Sequence, residues 1–174
     1  MRYLLICLFP LLLLAACSDD EQLSPVDQLP PATQTGVGMM ACLIDGEPWV
    51  NSPDGLGFQG IQTSVLGPPS NRISVIGISD EIKSDDSYQS LIIRLPLAVD
   101  MGMVEVDSST FRFIDRLPTV IREKRSLLPS MCQLNVTHID SEAGTLSGEF
   151  DAILIDDESR DTINLSEGRF DVSL

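Results

Sequence analysis

The chain of 174 residues sets 26 acidic side chains against 11 lysines and arginines, a net charge of −15 at neutral pH. A chain this anionic repels phosphate backbones and lacks the cationic footprint that nucleic-acid binding requires; the same repulsion disfavours anionic membrane surfaces. Its length is that of one core-forming domain preceded by leader sequence.

The N-terminus has the three parts of a secretory signal: a cation at Arg2, an apolar run from Leu4 to Leu14, and the small exit residues Ala15 and Ala16. The run is shorter than the roughly 18 to 20 residues a membrane-spanning helix needs. Cys17 follows at once, and Leu14-Ala15-Ala16-Cys17 resembles the bacterial lipobox, in which the thiol is acylated and becomes the first residue of the mature protein. Residues 1–16 are then a lipoprotein signal peptide, whose removal takes away one cation and brings the charge to −16. One acyl chain such as palmitate holds only marginally, whereas two or three anchor firmly. The next residues, Ser18-Asp19-Asp20-Glu21, resemble the acidic tract that sends Bacteroidota lipoproteins to the outer face of the outer membrane. The expected address is therefore the outer membrane at the cell surface, with a periplasm-facing lipoprotein as the alternative.

Residues 17–38 hold Pro25, Pro30, Pro31, Gly36 and Gly38 among polar side chains without apolar periodicity, and read as a flexible tether. Residues 39–174 read as an all-β domain, an antiparallel β-sandwich or a squat barrel. Strands are expected at 39–44, 48–51, 57–65, 72–79, 88–95 and 109–114. Asp45-Gly46-Glu47-Pro48 forms a turn with Asp-Gly at its head, and the second strand takes up at Trp49. Only 116–128 has room for a helix, which Pro118 and Pro129 limit to about two turns. Cys132, Leu134 and Val136 alternate with polar residues, then Ser141-Glu142-Ala143-Gly144 turns the chain into a strand with Leu146, Gly148, Phe150, Ala152 and Leu154 on one face. In the last strand Ile163 and Leu165 have opposite parity to Phe170, Val172 and Leu174, so a bulge is expected at Glu167-Gly168.

With Cys7 lost and Cys17 acylated, Cys42 and Cys132 remain. They either pair in an oxidising compartment, closing a loop worth roughly 4 to 5 kcal/mol, or are buried separately as small hydrophobes.

An apolar strand entering Asp45-Gly46 with Trp49 beyond it, Gly144-Thr145-Leu146-Ser147-Gly148-Glu149-Phe150, and a closing Gly168-Arg169-Phe170-Asp171 together resemble small uncharacterised lipoproteins of the Bacteroidota. The resemblance covers about 60 residues at the two ends of the domain. It implies a C-terminal β-hairpin and carries no catalytic residues.

Chemistry-bearing patterns are sparse. His138 is the sole histidine; it continues the inward parity of Cys132, Leu134 and Val136 and reads as a satisfied rim residue. One histidine and two thiols fall short of a zinc site. Acidic clusters at Asp80, Glu81, Asp85 and Asp86 and at Asp156, Asp157, Glu158 and Asp161 occupy turns and lack the spacing of a calcium loop. No metal or other cofactor is expected. The one local reversal of charge is Arg112, Arg116, Arg122, Lys124 and Arg125, half of the mature cations within fourteen residues. This is the expected contact for a protein or glycan partner. The expectation is a non-enzymatic binding or envelope role; the alternatives are an accessory glycan-binding module, which needs exposed aromatic platforms, and a carboxylate-based hydrolase, which needs two acids across one cleft.

Overall fold

A computed structural model describes residues 23–51, 60–68, 70–79, 88–117, 120–126 and 128–174. The signal peptide, Cys17, the acidic tract and Asp80, Glu81, Asp85 and Asp86 lie outside these residues, as do positions 57–59 of the third expected strand. The described residues form eleven strands: β1 (Met39–Ile44), β2 (Glu47–Val50), β3 (Ile61–Leu66), β4 (Arg72–Ser79), β5 (Tyr88–Pro96), β6 (Gly102–Met103), β7 (Phe111–Leu117), β8 (Val120–Arg125), β9 (Cys132–Asp140), β10 (Thr145–Asp156) and β11 (Thr162–Ser173). They form one antiparallel sheet in the order β2-β1-β11-β10-β8-β7-β5-β4-β3, which curls into a half-barrel. β9 pairs with the first part of β10, β8 with its last two residues, and β6 with β9. Thr63 of β3 donates its hydroxyl to the Ser173 carbonyl of β11 at 2.8 Å, so the curl brings the far edge of the sheet back toward its C-terminal strand.

The interior follows from the alternation. Ile73, Val75, Leu91, Ile93, Leu95, Phe111, Phe113, Leu134, Val136, Leu146, Phe150, Leu154, Leu165, Phe170 and Val172 form one buried cluster with Met40, Cys42 and Trp49. Two glycines position its largest rings. Across β10 and β11 Gly148 faces Phe170 and Phe150 faces Gly168, so each ring lies over the bare backbone of the opposing strand. A Cβ on Gly148 would sit 2.6 Å from Phe170 Cζ, and one on Gly168 2.5 Å from the Phe150 carbonyl oxygen. The expected bulge is present. Phe150 pairs with Gly168 but Ala152 with Leu165, which inserts one residue into β11. Glu167 takes φ 54° there, and its amide bonds Asp151 Oδ1 at 3.1 Å.

Four local expectations change. The described residues of 116–128 hold no helix: β7 runs on to Leu117 and β8 occupies Val120–Arg125. An isolated two-turn helix is marginal, whereas β8 gains cross-strand partners on β7 and a junction with β10 at Ile155 and Asp156. The first turn is two residues, Asp45 and Gly46, both at positive φ, so β2 starts at Glu47. The strand expected from 109 begins at Phe111, because Asp107 caps a turn through Ser109 and Thr110. His138 does not continue the inward parity. A bulge between the Ser147–His138 and Gly148–Val136 pairs shifts β9 by one residue, so Ile139 packs against the core and His138 stands opposite Ser147 on the outer face.

The segment expected as a tether is docked from Leu29 onward. Leu29 is buried against Met39, Ala41 and Leu43 on the outer face of β1, and the Pro30 carbonyl accepts from Arg169 Nη1 at 3.2 Å. The anchor is Asp171, a fully buried carboxylate on the outer face of β11. It accepts from Thr33 Oγ1 (2.6 Å), Thr35 N (3.0 Å), Gly36 N (2.8 Å), Val37 N (3.4 Å) and Ser147 Oγ (2.8 Å). Gly36, at φ 72°, lets successive amides converge on it. Burial alone would raise the pKa of Asp171; the bonds from Thr33, Gly36, Ser147 and Thr35 together outweigh it and leave it below the ordinary value.

Gly168→Ala should destabilise the domain by about 1–3 kcal/mol through overpacking against Phe150, read as a lowered urea midpoint. Asp171→Asn should cost about 1–3 kcal/mol at neutral pH, since an amide nitrogen cannot accept from the arm. Because the folded pKa is depressed, the carboxylate contributes fully above the unfolded value near 3.9 and loses its contribution as pH falls through the folded pKa. The stability gap between the native chain and this variant should therefore narrow below about pH 4, measured by denaturant titration at stepped pH.

Candidate functional site

The outward side chains of β4, β5, β7 and β8 build the most distinctive surface of the described residues. Inward positions on these strands feed the core, so Arg72, Arg94, Arg112 and Arg125 point outward. Register sets Arg94 beside Ser74, Ile92 opposite Arg112, and Arg112 opposite Arg125. An open cavity of about 210 Å³ is lined by Arg94, Ser108, Ser109, Arg112, Glu123 and Arg125. Three guanidiniums from three strands thus meet around one carboxylate.

Glu123 is shared. Arg112 Nη2 donates to its Oε2, and Arg125 Nε to its Oε1 at 2.5 Å. Burial would raise the Glu123 pKa, and the two guanidiniums more than reverse that, holding it low. Arg125 reaches Asp157 only at 4.0 Å. At the cavity's edge Arg72 pairs with Asp107 at 2.7 Å; burial pushes Asp107 up, but bonds from Arg72 and Ser109 prevail and hold it well below the usual carboxylate range. Arg94 has no such partner among the described residues and donates to the Ser109 carbonyl at 3.2 Å. Its pKa is lowered by burial and then by the charges of Arg112 and Arg72. Arg112 Nε is buried without a hydrogen-bond partner among the described residues. The arrangement therefore carries surplus positive charge around one cavity, which suits an incoming anionic oxygen.

Of the five cations expected at a contact, the structure unites Arg112 and Arg125. Arg116 shares their face, two outward positions from Arg112, with its guanidinium 5.6 Å from the centroid of the Tyr88 ring. Arg122 and Lys124 have the opposite parity, facing Asp115 and Phe113 across the ladder, and do not join the cluster. Sequence reading missed Arg94 and Arg72. The signal was present in Leu91-Ile92-Ile93-Arg94-Leu95, where one cation interrupts an apolar strand at an outward position.

The other candidate groups lie elsewhere. Cys42 and Cys132 are both buried with free thiols, so of the two alternatives the structure has separate burial, each serving as a small core hydrophobe. Burial pushes the Cys42 thiol up to about 12, and Cys132 also up. Trp49, Phe111, Phe113, Phe150 and Phe170 are buried, and Tyr88 is half-buried beneath Arg116. Asp156 closes its own turn by accepting from the Glu158 and Ser159 amides. Among the described residues no three His, Cys, Asp or Glu side chains group as a metal site. A cleft of about 340 Å³ gathers Glu149, Asp151 and Glu167 beside Arg169, but Asp151 is bonded to the bulge amide. A cleft of about 690 Å³ follows the seam between β3 and Gly36–Gly38, and its described lining includes no ionisable side chain.

No protein-family model, curated protein or solved structure matches the chain.

Glu123→Gln should lower stability by about 0.5–1 kcal/mol at low salt, because the Arg112 and Arg125 charges then lack their shared counter-ion. Most of that deficit should disappear near 1 M NaCl, where the Debye length falls to about 3 Å. Thermal melts of both proteins at the two salt concentrations measure it.

Proposed function

We propose that the chain is a lipid-anchored, non-enzymatic binding domain of the outer membrane, displayed at the cell surface, that captures an acidic protein partner through the arginine cluster on the outer face of β5, β7 and β8. The observation that carries this reading is the convergence of Arg94, Arg112 and Arg125 on one cavity with a single lining carboxylate. On a chain of net charge −15, such a local reversal steers one acidic group to one place while the remaining surface repels non-specific anions. The anchor and address rest on Arg2 through Cys17 and the acidic tract that follows. A stacking platform for neutral sugars receives less support: the one half-exposed aromatic described, Tyr88, already lies against Arg116.

Pull-down from intact cells tests the reading. Arg94→Glu with Arg112→Glu should abolish partner capture, while Arg122→Glu with Lys124→Glu, on the other face of the ladder, should leave it intact; melting curves confirm that both variants fold. Capture unaffected by the first pair would overturn the site. Protease shaving of whole cells, in parallel, should digest the domain if it faces outward.

A further inference from the structure

The arginine cavity is one end of a longer surface. On the outer face Ile76 lies opposite Ile92, Ile78 opposite Ser90, Ser90 opposite Ile114, and Tyr88 opposite Arg116. A groove of about 450 Å³ runs over Ile76, Ile78, Ile92 and Ile114 and ends at Tyr88 and Arg116. Its floor is mostly apolar, with Ser90 and Gln62 among the isoleucines, and Arg116 is the one cation in its lining; Arg112, opposite Ile92 and the next outward residue of β7 before Ile114, lies just beyond its other end.

The spacing is informative. Successive outward residues of β7 are Arg112, Ile114 and Arg116, about 6.8 Å apart per step in a strand. An extended peptide lying along the strand presents its own alternate side chains at the same period. Glu123 stands opposite Ile114, so an acid at the central step would meet both a carboxylate and an isoleucine floor, whereas an apolar side chain there would bury surface. Acids at the outer steps would meet Arg94 and Arg112 at one end and Arg116 at the other.

The geometry points to a groove that binds an extended segment of a partner protein in which an acid, an apolar residue and a second acid occupy alternate positions. This rests on the arginine cluster being an anion site, as proposed above, and adds the chemistry and spacing of its occupant. The charge complementarity is local: Arg116 and the Arg94–Arg112 pair are the poles, and the isoleucines set the register between them.

The test uses the full-length lipidated chain in zwitterionic nanodiscs and a labelled peptide, Gly-Ser-Glu-Thr-Ile-Thr-Glu-Ser-Gly, followed by fluorescence anisotropy at low salt. A peptide of the same composition with its glutamates adjacent should bind about fivefold more weakly, a difference of roughly 1 kcal/mol. Ile114→Ser should weaken the first peptide by about fivefold without changing the binding of dextran sulfate, a purely anionic probe. Arg116→Gln should weaken the first peptide alone, and Arg112→Gln both probes. Equal affinity for the two peptides, or indifference to Ile114→Ser, would overturn the groove while Arg112-dependent binding of dextran sulfate kept the anion site. Binding of neither probe that depended on Arg112 would overturn both. Anionic vesicles that bound the chain in an Ile114-dependent way, with the peptide silent, would overturn the peptide as occupant in favour of a lipid.

Discussion

One buried carboxylate organises both ends of the described chain. Among the described residues Asp171 has no cationic partner; its charge is met by three backbone amides of the N-terminal arm and two hydroxyls. An ion removed from water is tolerable only when hydrogen bonds replace its hydration. The arm supplies most of them, and so it cannot leave without exposing the charge. With the arm in place, Leu29 covers Met39, Ala41 and Leu43, and the outer face of β1 acquires a small core of its own. The sheet is therefore covered on both sides where its first and last strands meet, and among the described residues the arm makes no hydrogen bond to β4, β5, β7 or β8.

That division decides where chemistry can sit. Inward positions are committed to packing, including both thiols and nearly every described aromatic ring. At the outward positions of β4, β5, β7 and β8 the sequence places arginines and isoleucines rather than the acids that dominate elsewhere. Arg112 and Arg125 would repel each other across the ladder were Glu123 not between them. A shared carboxylate leaves the cluster stable enough to persist and still short of negative charge.

Much of the fold was legible because a strand's period of two residues is a strong signal when one face is buried. The bulge at Glu167-Gly168 could be read from a parity switch, and the C-terminal hairpin from its glycines and phenylalanines. The bulge in β9 left no such trace: Thr137, His138 and Ile139 are consistent with either parity, and only pairing with Ser147 and Gly148 settles it. The strand at Val120–Arg125 was hidden because four of its six residues are charged, and because its partners lie on other strands. The arm was missed for a related reason. Prolines, threonines and glycines look like a tether by composition, and their ordering comes from one acid at the far end of the sequence. The site was half legible: linear proximity marked Arg112 and Arg125, but only the ladder separates them from Arg122 and Lys124 and adds Arg94.

The pairing of β1 with β11 also governs how the chain acquires its shape. Met39 waits for Asp171, and Ile44 for Leu165, so the first strand has no partner on that edge until the chain has been made through β11. Contacts of such long sequence separation close slowly, because loop entropy must be lost before they form. During that interval the apolar edge of β1 and the arm's unmet amides are exposed to other chains. Loss of the segment that carries Asp171 would therefore leave the N-terminal arm, more than 130 residues earlier in the chain, without its anchor.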